Sequence, residues 1–395
     1  MDYYKESIKV HQAHHGKWEM KSRLPLESRD DLSIAYTPGV AAVCERIREF
    51  PAEVYDLTMK GNSVAIVSDG SAVLGLDNIS PEAGLPVMEG KAILFKKFAN
   101  IDGVPIVINA HSIQEIVTFV KAIAPTFGGI NLEDIQAPKC FEIEAALQDI
   151  GIPVFHDDQH GTAIVLLAAL LNASKILGKP LEEMKVVING AGSAGIAIAR
   201  LLKCVGHKPD VCVPVKDVIL CDTQGIISSQ RHDLNPFKQL LLKFSNAGNI
   251  SGTLQDALVG ADCFIGVSQG GILDRHDIRT MAKDPIIFAM ANPVPEIMPE
   301  EAKAGGAKIV GTGRSDFANQ VNNVLAFPGI FRGALDAKAS RITESMKIAA
   351  ANALSSAVKD PDVDHILPDP LDMSVAGIVA AAVYKAAKSE EGVCA

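Results

Sequence analysis

The sequence predicts a two-lobed α/β protein: an N-terminal α/β unit, a second, doubly wound α/β unit, and C-terminal helices packing back on the body. Three observations predict it. From residue 63 onward, apolar runs of strand length alternate with amphipathic helical stretches, the mark of a parallel sheet covered on both faces. The alternation breaks at Leu177-Gly-Lys-Pro-Leu181 and restarts at Met184. Beyond about residue 331 the pattern becomes helical. The expected units are therefore 1–160, 161–332 and 333–395.

Taken in order, residues 63–68 read as a strand ending at Asp69-Gly70, and 81–86 as a Gly/Pro-rich loop. Residues 88–100 read as a helix, with Ile93, Leu94 and Phe98 apolar. A strand over 104–110 leads to a helix over 112–127, opened by a serine cap. A short strand (129–132), a helix (138–150) and a strand (152–155) follow, and Gly161-Thr162 opens a helix to about residue 176. In the second unit, strands are expected at 185–189, 218–222, 262–267, 285–290 and 308–310. The closing helices are expected at 338–358 and 374–388. Two α/β units in series leave a cleft between lobes, a common place for a ligand.

Composition narrows the function. The 395 residues carry 37 Lys and Arg against 47 Asp and Glu, a net charge of −10. That balance argues against a nucleic-acid or anionic-membrane surface, since both require clustered positive charge. The seven cysteines form no C-x-x-C pair, so reduced, mostly buried thiols are expected rather than a disulfide framework or a zinc site. Residues 1–20 carry charges and histidines throughout and offer no apolar signal-peptide core. The longest strictly apolar run, 163–171, is too short to span a bilayer. The cytoplasm is the expected compartment.

Gly190-Ala-Gly192-Ser193-Ala194-Gly195 follows the strand 185–189 and opens a helix. This is G-x-G-x-x-G in the strand–loop–helix setting of a Rossmann dinucleotide-binding unit. The first glycine allows the tight turn, the second lets backbone approach a pyrophosphate, and the third lets helix pack on strand. Asp222 ends the next strand, where an acidic residue takes the adenosine ribose hydroxyls and favours NAD over NADP. Lys216, Arg231 and Lys238 are close enough in sequence to weaken that preference. The loops bearing Ser268 and Asn292 end later strands and are small and polar, as crevice linings are.

In the first unit the carboxylates fall at strand ends: Asp69, Glu133 with Asp134, and Asp157 with Asp158. The C-terminal ends of parallel strands share one edge, so these groups converge. Unpaired carboxylates repel unless a cation holds them, and an all-oxygen set suits Mg²⁺ or Mn²⁺ rather than zinc. Read alone, the two acidic pairs are equally compatible with loop residues or helix caps. Lys91, at an expected helix start, reads alone as a solvated lysine; beside a divalent cation its pKa falls toward that of a general base. Tyr36 reads alone as a packed aromatic or a proton donor.

Six stretches together resemble the malic enzyme family. They are Ala35-Tyr-Thr-Pro-Gly-Val-Ala41, Glu89-Gly-Lys-Ala92, Asn131-Leu-Glu-Asp-Ile135, Phe155-His-Asp-Asp-Gln-His-Gly-Thr162, Ala291-Asn-Pro-Val-Pro-Glu296, and Gly313-Arg-Ser-Asp316 with Asn319-Gln-Val-Asn-Asn323. They occur in the family's order across roughly residues 15–385, and the length is similar to the small, bacterial-type form. The resemblance implies oxidative decarboxylation of L-malate to pyruvate and CO₂ with NAD(P)⁺ and Mg²⁺ or Mn²⁺. It implies Glu133, Asp134 and Asp158 as metal ligands, Lys91 as the base at the C2 hydroxyl, and Asp157 as its support. It further implies Tyr36 as the acid at C3, and Asn292, Asn322 and Asn323 at the substrate and nicotinamide. A homodimer is expected on the same ground. Malolactic or oxaloacetate-decarboxylating chemistry would use the same groups, and a non-catalytic nucleotide-binding regulator would need none of them intact.

The sequence also departs from the family pattern. Ala72 stands where larger members carry an arginine, which leaves the partner of malate's second carboxylate open among asparagine amides, Ser71 and a second subunit. Asp77 and Ser80 stand where glycines are expected.

Overall fold

The computed structural model describes residues 2–73, 79–207 and 211–391. Asp77, Cys394 and part of the loop before residue 217 lie outside them. Two sheets organise the chain. The first contains β1 (Ser63–Ser68), β2 (Asp102–Val107), β3 (Gly129–Leu132) and β4 (Val154–His156), in the order β2-β1-β3-β4 and all parallel. The second contains β5 (Lys185–Asn189), β6 (Asp217–Asp222), β7 (Gly225–Ile226), β8 (Cys263–Gly266), β9 (Ile286–Ala289) and β10 (Ile309–Thr312), in the order β10-β9-β8-β5-β6-β7. Only β7 runs antiparallel, to β6. β1, β3, β4, β8, β9 and β10 are buried along their whole length, as unbroken apolar runs in covered parallel sheets must be.

The helix Asp157–Leu177 joins the two sheets. It is long and apolar enough to cross a membrane by length and composition, but here it is the core helix of the fold, with residues 163–170 all buried. It starts four residues before the expected Gly161, so Asp157 and Asp158 occupy its first turn rather than a loop. Carboxylates are favoured there by the unpaired N–H groups and the helix dipole. A Cβ on Gly161 would collide with the Asp157 carboxylate, so the glycine preserves that side chain's position.

A second boundary also shifts. The helix carrying Lys91 spans Pro81–Ala99, so the expected loop over 81–86 is helical and Lys91 lies mid-helix. Pro81 occupies the first turn, where no N–H partner is lost. Ser80, at a position expected to be glycine, has φ +80, a conformation glycine adopts freely. At the C-terminus the expected helix over 338–358 is shorter, Glu344–Ala357, and a helix with no expectation of its own, Phe327–Ala337, precedes it and ends at Lys338 with φ 52.

The helix Phe327–Ala337 ties this end to the first lobe. Phe95 packs edge-on against Phe327 and Phe331 at 4.8 and 5.3 Å between ring centroids, and Phe155 meets Phe331 at 5.9 Å. Burying four such rings outweighs many polar contacts, at about 25 cal/mol per Å² of apolar surface. The final helix, Val375–Glu391, packs on both preceding ones.

One cysteine expectation is corrected. Cys204 and Cys212 form a disulfide, with Cα atoms 5.7 Å apart. Cys140, Cys221 and Cys263 are buried free thiols, as expected, and Cys44 is exposed.

The first fifty residues behave differently from the rest. The helices Tyr3–His14, Arg29–Ala35 and Val40–Glu49 contain no buried residue. Tyr3, Ile8, Leu24, Leu26, Ile34 and Tyr36 are all more than half exposed.

Candidate active site

Parallel strands deliver the acidic residues to one edge. Glu133 and Asp134 follow β3, and Asp157 and Asp158 follow β4, its neighbour. Glu133, Asp134 and Asp158 each offer a carboxylate oxygen, and these oxygens lie within 4.8 Å of one another. The Asp134 backbone N–H donates to Asp158 Oδ2 at 2.8 Å, and Asn131 Nδ2 donates to Glu133 Oε2 at 2.7 Å. Asp134 Oδ2 and Asp157 Oδ1 are buried and accept no hydrogen bond among the described residues. Orphaned carboxylate oxygens are costly unless a ligand meets them. An all-oxygen set with unmet acceptors fits a hard divalent cation.

The electrostatics agree. Burial first, then the neighbouring carboxylates, pushes Asp134 up to about 9; burial pushes Asp158 up to about 6, against the pull of Lys91. Burial pushes Asp157 up to about 7, against the pull of Lys91. Glu133 is raised by the same burial.

Lys91 is 7% exposed. Its Nζ lies 2.5 Å from Asp157 Oδ2 and 2.8 Å from Glu133 Oε1, and 4.2 Å from the centre of the Phe327 ring. Burial alone would lower the pKa of this ammonium; Asp157 and Glu133 override it and hold it raised. The depressed pKa expected of a base is therefore absent while the carboxylates face the lysine uncompensated. Asn323 Nδ2 donates to Asp157 Oδ2 at 2.5 Å, which joins the C-terminal segment to this centre.

Asp69 does not enter the acidic cluster; Lys139 takes it as an ion pair. Ser71 Oγ donates to Asp69 at 2.6 Å and accepts from the Gln136 N–H at 2.9 Å. Ser71 is thus committed to bracing the loop. Ala72 N–H donates to the Asp134 carbonyl at 3.0 Å, so the loops after β1 and β3 are tied together beside the carboxylate cluster.

Tyr36 stands apart from this centre, 65% exposed on the N-terminal arm. Asn322 caps the turn that follows it, its Oδ1 accepting from the Val324 N–H at 3.0 Å.

Across the cleft, Gly190, Gly192, Asp222, Ser268 and Lys238 line a cavity of about 850 Å³. Gly190 has φ +117, and a Cβ on Gly192 would project into open space. A Cβ on Gly195 would collide with the Gly190 carbonyl. Ser193 and Ala194 form the first turn of the helix Ser193–Leu202, whose N-terminus has no side-chain cap and is left to an anion. The glycine cradle and open helix end fit a dinucleotide pyrophosphate.

Asp222 is fully engaged. Its carboxylate accepts from Arg231 at 2.7 and 3.2 Å, from Lys238 at 2.6 Å, and from the Gln224 N–H at 2.9 Å. These donors outweigh the burial that would raise its pKa, and the group sits below the usual carboxylate range. Ser268 Oγ meets Asn189 Nδ2 at 2.7 Å. Asn292 Nδ2 lies against Gly313, 3.0 Å from where a Cβ would stand.

Two features carried no expectation. Glu296 is fully buried, and its carboxylate accepts from the Ser268 and Ala291 N–H groups at 3.1 and 3.0 Å. It pins the loops after β8 and β9 to each other. Its position in Ala291-Asn-Pro-Val-Pro-Glu296 was the available signal. Phe327, the ring beneath Lys91, had none beyond being apolar.

A Rossmann cradle facing a buried lysine–carboxylate centre defines a two-lobed nicotinamide-dinucleotide oxidoreductase. Comparison with known proteins specifies it. Residues 15–148 match the family model "Malic enzyme, N-terminal domain", and residues 159–388 match "Malic enzyme, NAD binding domain". The chain belongs to the malic enzyme family. It is 55% identical over 98% of its length, and 93% of the relative's, to a bifunctional malic/malolactic enzyme of Bacillus subtilis. It is 53% identical to an NAD-dependent malic enzyme of Geobacillus stearothermophilus, over 94% of this chain and 77% of that one. The crystal structure of the NAD-dependent malic enzyme of Thermotoga maritima superposes with a TM-score of 0.90 at 47% identity, covering 96% of this chain and 98% of that one.

Proposed function

We propose that the protein catalyses oxidative decarboxylation of L-malate to pyruvate and CO₂, reducing NAD⁺ or NADP⁺ and requiring Mg²⁺ or Mn²⁺. The observation that carries this reading is Lys91, buried between Asp157 and Glu133 at the edge of the Glu133–Asp134–Asp158 set. When bound, the cation supplies Lewis-acid polarisation of the C2 oxygen, and the nicotinamide supplies the hydride acceptor. The chain's own groups do the rest. Lys91, in the neutral amine form that a cation held by the neighbouring carboxylates would favour, takes the proton from the C2 hydroxyl, and the ammonium so formed is stabilised by Asp157. Asn323 fixes the Asp157 carboxylate, while Phe327 closes the floor against water. Asn292 and Asn322 orient substrate and nicotinamide.

Tyr36 donates the proton at C3. Its exposure on an arm rich in apolar surface supports a homodimer in which each arm reaches the neighbouring subunit's centre. Because cations already saturate Asp222, a 2′-phosphate meets Arg231 and Lys238 rather than a bare carboxylate, and both dinucleotides are accepted.

The test is absorbance of the reduced nicotinamide with malate, Mn²⁺ and each cofactor, together with pyruvate release. No reduced cofactor and no pyruvate from folded protein would refute the reading. The identity to a malic/malolactic enzyme favours one second reading: lactate formed without net cofactor reduction would establish it.

A further inference from the structure

We propose that Phe141 and Phe237 form an aromatic wall, one ring from each lobe, against the adenosine end of the dinucleotide, so that the cofactor is gripped by both lobes. The inference rests on the dinucleotide reading of the cavity. Phe141 lies on the helix Lys139–Leu147 of the first lobe, and Phe237 on the helix Pro236–Leu241 of the second. Their ring centroids are 4.8 Å apart, tilted by 41°, the spacing of an interacting aromatic pair.

Both rings are half-buried, and both line the cavity that contains Gly190 and Asp222. Phe237 is adjacent to Lys238, which binds Asp222 at 2.6 Å, so the wall stands where the adenosine ribose is expected. Besides packing on each other, both rings present surface to this cavity. Bases bind aromatic faces readily because every base presents a π surface.

The connection to the first lobe is short. Phe141 lies seven residues beyond Asp134, and Pro138 of the same segment also lines the cavity. A cofactor resting on Phe141 therefore bears on the segment that carries two metal ligands. Nicotinamide mononucleotide, which lacks the adenosine, would not reach the wall.

Calorimetric binding of NAD⁺, 5′-AMP and nicotinamide mononucleotide to the full-length protein tests this. Phe237→Ala and Phe141→Ala are each expected to weaken NAD⁺ and 5′-AMP by about tenfold, within the range of losing one base–aromatic contact. Mononucleotide affinity stays unchanged. Phe237→Leu and Phe141→Leu keep apolar bulk and guard against misfolding; they are expected to lose most of the same affinity, while Phe237→Trp retains it. Leucine variants that bind 5′-AMP as tightly as the natural protein would overturn the wall. So would equal weakening of all three ligands, which is what general loosening of the fold produces. A natural protein that binds neither NAD⁺ nor 5′-AMP would instead refute the dinucleotide reading itself.

Discussion

Lys238 stands between Asp222 and the cofactor cavity, and its replacement by glutamine separates the two nicotinamide cofactors. The lysine side chain is 24% exposed and its Nζ lies 2.6 Å from Asp222 Oδ2. Arg231 donates to both Asp222 oxygens and is itself drawn toward Asp233, while Lys238 is the cation that lines the cavity. A 2′-phosphate arriving there makes one charge-assisted hydrogen bond that a ribose hydroxyl does not. Such a bond is worth about 1.5–3 kcal/mol, or roughly 10- to 150-fold in affinity. Partial exposure screens the charge and moves the expectation to the lower end, about tenfold. In Lys238→Gln, kcat/KM for NADP⁺ should fall about tenfold while that for NAD⁺ holds or rises, since Asp222 regains a free acceptor. Steady-state kinetics with each cofactor at saturating malate and Mn²⁺ measure the ratio. A ratio within twofold of the natural protein's would refute the reasoning.

Two further predictions concern pH. Asp134 and Asp158 are raised to about 9 and about 6 in the metal-free protein, so protons they hold must leave before a cation is bound. Mn²⁺ affinity should therefore rise with pH between about 6 and 9, and calorimetry in two buffers of different ionisation enthalpy should show proton release; pH-independent affinity would contradict it. Glu144 is the opposite case. It is lowered to about 2 by His160, its partner at 2.9 Å, and by Lys347, against the burial that would raise it. Its folded pKa lies below its unfolded value, so its stabilisation is complete above about pH 4.5 and fades as pH falls toward 2. The full contribution is about 3 kcal/mol. Glu144→Gln should be less stable than the natural protein at neutral pH in urea unfolding, and the gap should close in acid.

The repeating parts of the fold were legible, and the particular contacts were not. β1 and β3 were located to the residue, because an unbroken apolar run flanked by polar ends leaves a buried parallel strand little freedom. Helix starts were misjudged at Pro81 and Asp157 for one reason. Proline, glycine and acidic residues signal loops in general, yet they are also what the first turn of a helix tolerates or prefers. The Glu133–Asp134–Asp158 set was legible because strand order brings β3 and β4 together. Asp69 was misplaced into it because periodicity does not reveal that Lys139, seventy residues on, neutralises it. The Cys204–Cys212 bridge escaped because its spacing matches no metal or redox pattern. Glu296 escaped because a buried carboxylate held only by backbone N–H groups has no charged partner in the sequence to betray it. Tyr36 was expected as a packed aromatic or a proton donor, and it is instead 65% exposed, because the surroundings of a residue on the N-terminal arm are not encoded in its local motif.

The account depends most on Lys91 as the group that moves the C2 proton. Lys91→Ala should abolish malate oxidation, by about 10²–10⁴-fold in kcat, while Mn²⁺ and NAD⁺ still bind in calorimetry. Near-normal turnover in that variant, with both ligands bound, would contradict the central claim.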